Sequence, residues 1–139
     1  MTRYIVDSYA WVEYLEGSAT GTAVERFLEG AQASWTPTPV VAEVTSKAIR
    51  TGKDPGVAWQ VMRSWSQVLP LDADAARAAG ALHAQQRKRT RDFAMTDAIV
   101  LAFARRLDAT VLTGDPHFRG MRGVQFLDSR QSAGRGRPS

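Results

Sequence analysis

Apolar and polar positions along this chain follow two alternating periods. Tyr4-Ile5-Val6 is a short apolar run with no polar alternation, as expected of a strand buried on both faces of a parallel sheet. From Ser8 the apolar positions Ala10, Trp11, Tyr14 and Leu15 recur at helical spacing, which predicts a helix ending at Gly17. Residues 20–30 predict a second helix with Val24, Phe27 and Leu28 on one face and Gly30 as its stop. Ala33 to Thr36 reads as a short strand. Thr38-Pro39 then opens a helix with Val40, Val41, Val44, Ala48 and Ile49 as its apolar stripe and Gly52 at its end. Asp54-Pro55 opens another, carrying Val57, Val61, Met62 and Trp65. A strand is expected from Gln67 to Leu71, and a long helix capped by Asp72 runs to about Gln86. The next helix starts at Thr96 or Asp97 and runs to about Leu107. Strands at 110–113 and 124–127 follow, separated by a short turn or helix at Pro116 to Phe118. Strands alternating with helices predict an α/β fold whose parallel sheet is covered on both faces.

Composition narrows this picture. A chain of 139 residues with 44% hydrophobic content suits one domain with a real core. No internal repeat or interdomain linker is visible, so the domain is expected to span residues 1–128. The Gly/Arg/Ser/Pro-rich tail, 129–139, has the composition of a disordered basic extension. The absence of Cys excludes disulfides and thiolate metal sites, and two histidines far apart, His83 and His117, make a His-rich zinc site a poor reading. No apolar run approaches a membrane span, and Met1-Thr2-Arg3 leads straight into a strand rather than a signal peptide, so a cytoplasmic protein is expected.

The net charge of +4 is uneven. Residues 1–70 carry six Lys/Arg against seven Asp/Glu, whereas residues 71–139 carry twelve against seven. Arg87, Lys88, Arg89 and Arg91 form the densest cluster, with Arg105, Arg106, Arg119 and Arg122 beyond it. A basic surface suits a polyanion, although solvated helix faces carry similar runs.

Four acids fall where strands end or helices begin. Asp7 and Asp115 follow two expected strands, Asp97 opens an apolar helix, and Glu43 lies early in the helix after Pro39. In an open α/β sheet, strand carboxyl ends gather beside a ligand-binding crevice. Acids crowded there raise one another's pKa values, and a divalent cation removes that penalty; oxygen donors favour Mg²⁺ or Mn²⁺. Each acid also has a structural reading. Asp7 suits a helix cap, Asp97 a helix dipole, Asp115 a turn, and Glu43 an ion pair with Lys47. Val40, Val41 and Val44 around Glu43 imply that this part of the helix is largely buried, and a carboxylate near a buried face needs a partner.

Val6-Asp7-Ser8, Val41-Ala42-Glu43-Val44, Arg91-Asp92-Phe93-Ala94-Met95-Thr96-Asp97-Ala98-Ile99 and Thr113-Gly114-Asp115-Pro116-His117-Phe118 together resemble the PIN-domain nucleases. The compact length resembles the VapC-type toxins of toxin–antitoxin pairs, and the resemblance covers about residues 3–127. It implies a three-layer α/β/α fold with a central, mostly parallel sheet. It also implies a metal-dependent endoribonuclease in which Asp7, Glu43, Asp97 and Asp115 hold Mg²⁺ or Mn²⁺. Ser8 and Thr113 would orient carboxylates through their hydroxyls, against local readings as a helix cap and a strand-former. Tyr9 departs from the small polar residue common at that position in the family.

An RNA substrate, with structured RNAs such as tRNA among the candidates, a homodimer and a small antitoxin protein are implied as partners. Arg87, Lys88, Arg89 and Arg91 are the expected phosphate contacts, and Trp59 and Trp65 are candidate interface residues. A haloacid-dehalogenase-type phosphotransferase needs a second acid where Tyr9 stands, and a Gly-x-Ser-x-Gly elbow is missing. A receiver domain lacks its paired acids after the first strand. A catalytically inactive PIN-like module that binds RNA or protein is the alternative from another class, and a stand-alone RNA-processing nuclease is the variant within this one.

Overall fold

The computed structural model describes residues 2–128, and the basic tail expected to be disordered lies outside them. Five strands form one sheet in the order β3-β2-β1-β4-β5, with β1 at Arg3–Val6, β2 at Ala33–Pro37, β3 at Gln67–Leu69, β4 at Thr110–Thr113 and β5 at Val124–Phe126. Every neighbouring pair is parallel, so the sheet is wholly rather than mostly parallel. Its centre is apolar because Ile5, Val6, Val111 and Leu112 are shielded on both faces. The third strand stops at Leu69, short of the expected Leu71. Pro70 follows at once, and the Leu71 amide donates to Thr38 Oγ1 instead of to a neighbouring strand.

Helices α1 (Ser8–Glu16), α2 (Ala19–Glu29), α3 (Thr38–Arg50) and α4 (Pro55–Trp65) pack in a connected series, while α5 (Ala73–Gln86) pairs with α6 (Met95–Arg106). The sheet between helical layers gives a three-layer α/β/α architecture. Local chemistry sets the helix starts. Ser18 accepts from Gly21 N at 3.0 Å, Asp54 from Gly56 N at 2.8 Å, and Asp72 from Ala75 N at 2.8 Å. Asp72 also accepts both guanidinium nitrogens of Arg106, at 2.7 and 3.1 Å, which ties the start of α5 to the end of α6. Gly17 ends α1 in the left-handed region, at φ 70°.

The apolar stripes hold with two exceptions. In α3, Val40, Val44 and Ala48 are buried at four-residue spacing, but Ile49 is 61% exposed. In α4, Ala58 and Met62 are buried while Val57 is exposed. Trp65 packs against the core and donates Nε1–H to Tyr14 Oη at 3.1 Å, whereas Trp59 remains partly exposed. Of the two candidate interface tryptophans, Trp65 takes the core role common for a Trp on a helical stripe, and Trp59 is presented to solvent. Helix α6 is buried along Asp97 to Ala104 and lies against β1, β2 and β4.

Candidate active site

Strand order reverses between β1 and β4: the chain leaves β1 toward β2 and β3, then returns to place β4 on its other side. Such a switch point opens a crevice at the strand carboxyl ends. The register Val6↔Leu112 brings those ends level, and the Asp7 amide donates to Leu112 O at 3.1 Å. Asp7 follows β1 and Asp115 lies just beyond β4, so topology carries two acids distant in sequence to the same edge.

Asp7 occupies the N-cap position of α1 but makes no side-chain capping bond. Its carboxylate is buried and accepts the Thr113 hydroxyl at 2.8 Å. Burial pushes its pKa from 3.8 up to about 7, against the lowering effect of Thr113; Asp97 and Glu43 add repulsion. Thr113 also accepts from the Asp115 amide at 3.0 Å, so one buried hydroxyl connects the two strand-end acids.

Asp97 sits in the first turn of α6, which begins at Met95, one residue before the expected start. Ala94 has no polar side chain to cap this helix. Asp97 reaches back to accept the Ala94 amide at 3.1 Å, so its structural role is real and fixes Oδ2. Burial raises its pKa, opposed by that amide; Asp115 raises it further and His117 lowers it. Asp115 likewise keeps its turn role, accepting the His117 amide at 2.9 Å.

Glu43 is exposed, although the stretch of α3 around it is largely buried at Val40 and Val44. The buried stripe of α3 is centred on Val40, Val44 and Ala48, and Glu43 lies on its flank. Its carboxylate borders a cavity of about 430 Å³, shared with Ser8, Tyr9, Lys47, Arg50 and Asp115. Among the described residues no ion pair joins Glu43 to Lys47. Ser8 lines this cavity, and its backbone amide, not its hydroxyl, acts on the Asp7 carboxylate. Tyr9 fits where a small residue is usual because position 114 is glycine: a side chain there would strike the Tyr9 ring and lie 2.8 Å from Leu127 O.

The tightest donor cluster is Asp97, Asp115 and His117, with ligand atoms within 4.8 Å of one another. His117 is not among the residues expected here; its offset of two from Asp115, inside an Asp-Pro-His turn, is the available signal. His117 also borders a cavity of about 370 Å³ lined by Arg89, Arg105, Arg119 and Arg122. Of the expected phosphate contacts, Arg89 enters this cleft, while Arg87, Lys88 and Arg91 are exposed outside its lining.

The PIN domain family model matches residues 4–124. The chain belongs to the PIN domain family. This PIN domain is similar in fold to a chain of a toxin–antitoxin complex from Klebsiella pneumoniae, with TM-score 0.73, 18% identity and coverage of 90% of this chain and 98% of that one. VapC20 from Mycobacterium tuberculosis, described as a Sarcin-Ricin loop cleaving toxin, matches with TM-score 0.73 and 18% identity over 90% of this chain and 99% of that one. A chain of VapBC2 from Rickettsia felis, bound to a promoter DNA fragment, matches with TM-score 0.71 and 14% identity over 91% of this chain and 100% of that one. No curated protein sequence matches significantly. Among the described residues, no helix is long and apolar enough to cross a membrane.

Proposed function

We propose that this PIN domain is a metal-dependent endoribonuclease and the toxin of a VapBC-type toxin–antitoxin pair. The observation that carries the reading is the gathering of Asp7, Asp97 and Asp115 at the β1/β4 switch point, with Glu43 at the rim and burial raising the pKa values of Asp7 and Asp97. A cluster this costly to ionise suits a divalent cation, and its carboxylate oxygens fit Mg²⁺ or Mn²⁺. Asp7, Asp97, Asp115 and Glu43 would hold the ion. When bound, such an ion supplies Lewis-acid stabilisation of phosphodiester charge and lowers the pKa of water.

The chain's own groups prepare the site. Thr113 holds Asp7 Oδ2, the Ala94 amide holds Asp97 Oδ2, and the His117 amide holds Asp115 Oδ1. Three carboxylates are thereby oriented before substrate arrives, which lowers the reorganisation needed during reaction. Asp7 or Asp97 would orient the attacking water.

The arginine cleft supports a polyanionic substrate. Arg89, Arg105, Arg119 and Arg122 line a cleft together with His117, whose ring nitrogen also meets Asp97 and Asp115. A phosphodiester backbone held in the cleft would continue into the acidic site. Single-stranded or looped segments of a structured RNA, tRNA included, suit this entry because their backbone and bases are accessible. Ile49, Val57 and Trp59 expose apolar surface on α3 and α4, which supports a homodimer or an antitoxin contact. Cytoplasmic residence follows from this role.

Incubation of antitoxin-free protein with a total RNA pool, in Mg²⁺, Mn²⁺ or EDTA and beside Asp97→Asn, tests the reading. Discrete cleavage requiring both metal and Asp97 is expected. Binding without cleavage in either metal, by a folded protein, would replace it with an inactive RNA-binding module.

A further inference from the structure

His117 meets the acids through one ring nitrogen. Nδ1 lies 3.3 Å from Asp97 Oδ2 and 3.2 Å from Asp115 Oδ1. Neighbouring donors around an octahedral divalent ion with bonds of about 2.1 Å stand about 3 Å apart. The two separations are close to that spacing, and they also suit hydrogen bonds. The same three atoms can therefore share a proton or surround a cation.

The backbone that carries the ring is anchored. Asp115 accepts the His117 amide at 2.9 Å, Pro116 restricts the turn, and the neighbouring Phe118 is buried edge-on against Phe93 with ring centroids 5.7 Å apart. The His117 side chain itself stays 33% exposed, leaving a solvent side for water ligands and substrate.

We propose that His117 Nδ1 is a direct ligand of the divalent cation beside Asp97 and Asp115, and that this nitrogen biases the site toward Mn²⁺ over Mg²⁺. The inference rests on the metal-dependent reading of the acidic site. Mn²⁺ shares the preference of Mg²⁺ for oxygen donors and is the weakest binder of the first-row series, yet as a transition ion it accepts an imidazole nitrogen more readily than Mg²⁺, which gives up its water reluctantly. Ligation uses the Nδ1 lone pair, so the imidazole proton then resides on Nε2. Asp7 and Glu43 fall outside the tightest donor group, which makes His117 its only non-carboxylate member among the described residues.

Calorimetric titration of the full chain, freed of divalent ions, with Mn²⁺ and separately with Mg²⁺ tests this directly. Wild type, His117→Ala, His117→Gln and Asp97→Asn are compared, each checked for thermal unfolding. Wild type should bind Mn²⁺ more tightly than Mg²⁺. Either His117 variant should weaken Mn²⁺ binding by at least the roughly tenfold seen when an outer partner of a ligand is removed, and change Mg²⁺ binding much less. Asp97→Asn should weaken both. Pulsed electron paramagnetic resonance of Mn²⁺-loaded wild type should show nitrogen hyperfine coupling, absent in both His117 variants; the glutamine variant retains a polar side chain and guards against a folding defect. Asp97-dependent Mn²⁺ binding without nitrogen coupling, or with unchanged affinity in both His117 variants, would overturn the imidazole ligand and leave the metal-dependent reading standing. Failure of the wild type to bind either ion would overturn both.

Discussion

Replacing Asp7 by Asn should stabilise the protein in EDTA while abolishing its cleavage of RNA. Asp7 is buried beside Asp97, and its pKa is pushed from 3.8 up to about 7. That difference of about three units corresponds to roughly 4 kcal/mol of native-state penalty when the carboxylate is ionised. Asn keeps the shape and an oxygen for the Thr113 hydroxyl, but its buried amide needs an acceptor, which costs about 1–3 kcal/mol if unmet. The net gain above pH 7 is therefore about 1–3 kcal/mol, or several degrees in Tm at about 3 °C per kcal/mol for a chain of this size. The sign in pH follows from the raised folded value. Between about pH 4 and 7 the folded state keeps a proton that the unfolded state has released, so the Asp7 contribution to wild-type stability is greatest below about pH 4. That contribution falls by about 1.4 kcal/mol per pH unit on rising to 7, then levels off. The advantage of Asp7→Asn should shrink correspondingly from pH 8.5 to pH 5. Denaturant unfolding of both proteins at pH 8.5, 7 and 5 measures it. A variant less stable than wild type at pH 8.5, or a difference independent of pH, would refute the electrostatic account of Asp7.

Thr113→Val should cost about 1.5–3 kcal/mol, because it removes the donor to Asp7 and the acceptor for the Asp115 amide; in EDTA it should also push the Asp7 pKa further up, read by carboxyl titration. Replacing Arg105, Arg119 and Arg122 by Ala should weaken binding of an RNA oligonucleotide to the Asp97→Asn protein. The salt slope should fall by about 0.7 for each phosphate no longer neutralised, with a smaller effect from replacing Arg87 and Lys88. Fluorescence anisotropy against ionic strength measures both effects, and the opposite order would place the RNA outside this cleft. Gly114→Ala should destabilise by about 1–3 kcal/mol, since its Cβ meets the Tyr9 ring and the Leu127 carbonyl, and an unchanged Tm would show that this corner repacks freely.

The local pattern was sufficient to locate the elements of the described chain, though not every boundary, because most are announced by their own period and punctuation: Ser18, Asp54 and Asp72 cap the helices they precede, and Gly17 ends α1. The positions of Asp7 and Asp115 at strand ends were legible for the same reason. Tertiary structure decided what local pattern does not encode. The side of α3 that Glu43 occupies depends on how the whole helix docks, and valines adjacent in sequence point around a helix in different directions. Arg89 joins Arg105, Arg119 and Arg122 only because the end of α5, α6 and the segment after β4 converge, so a cluster along the chain was not the cluster in space. His117 stood in the sequence as one of two isolated histidines; pairing of β1 with β4 and docking of α6 bring its ring between Asp97 and Asp115. Sequence periodicity determines which residues share a strand or helix face, whereas distances between different elements arise only from packing them together.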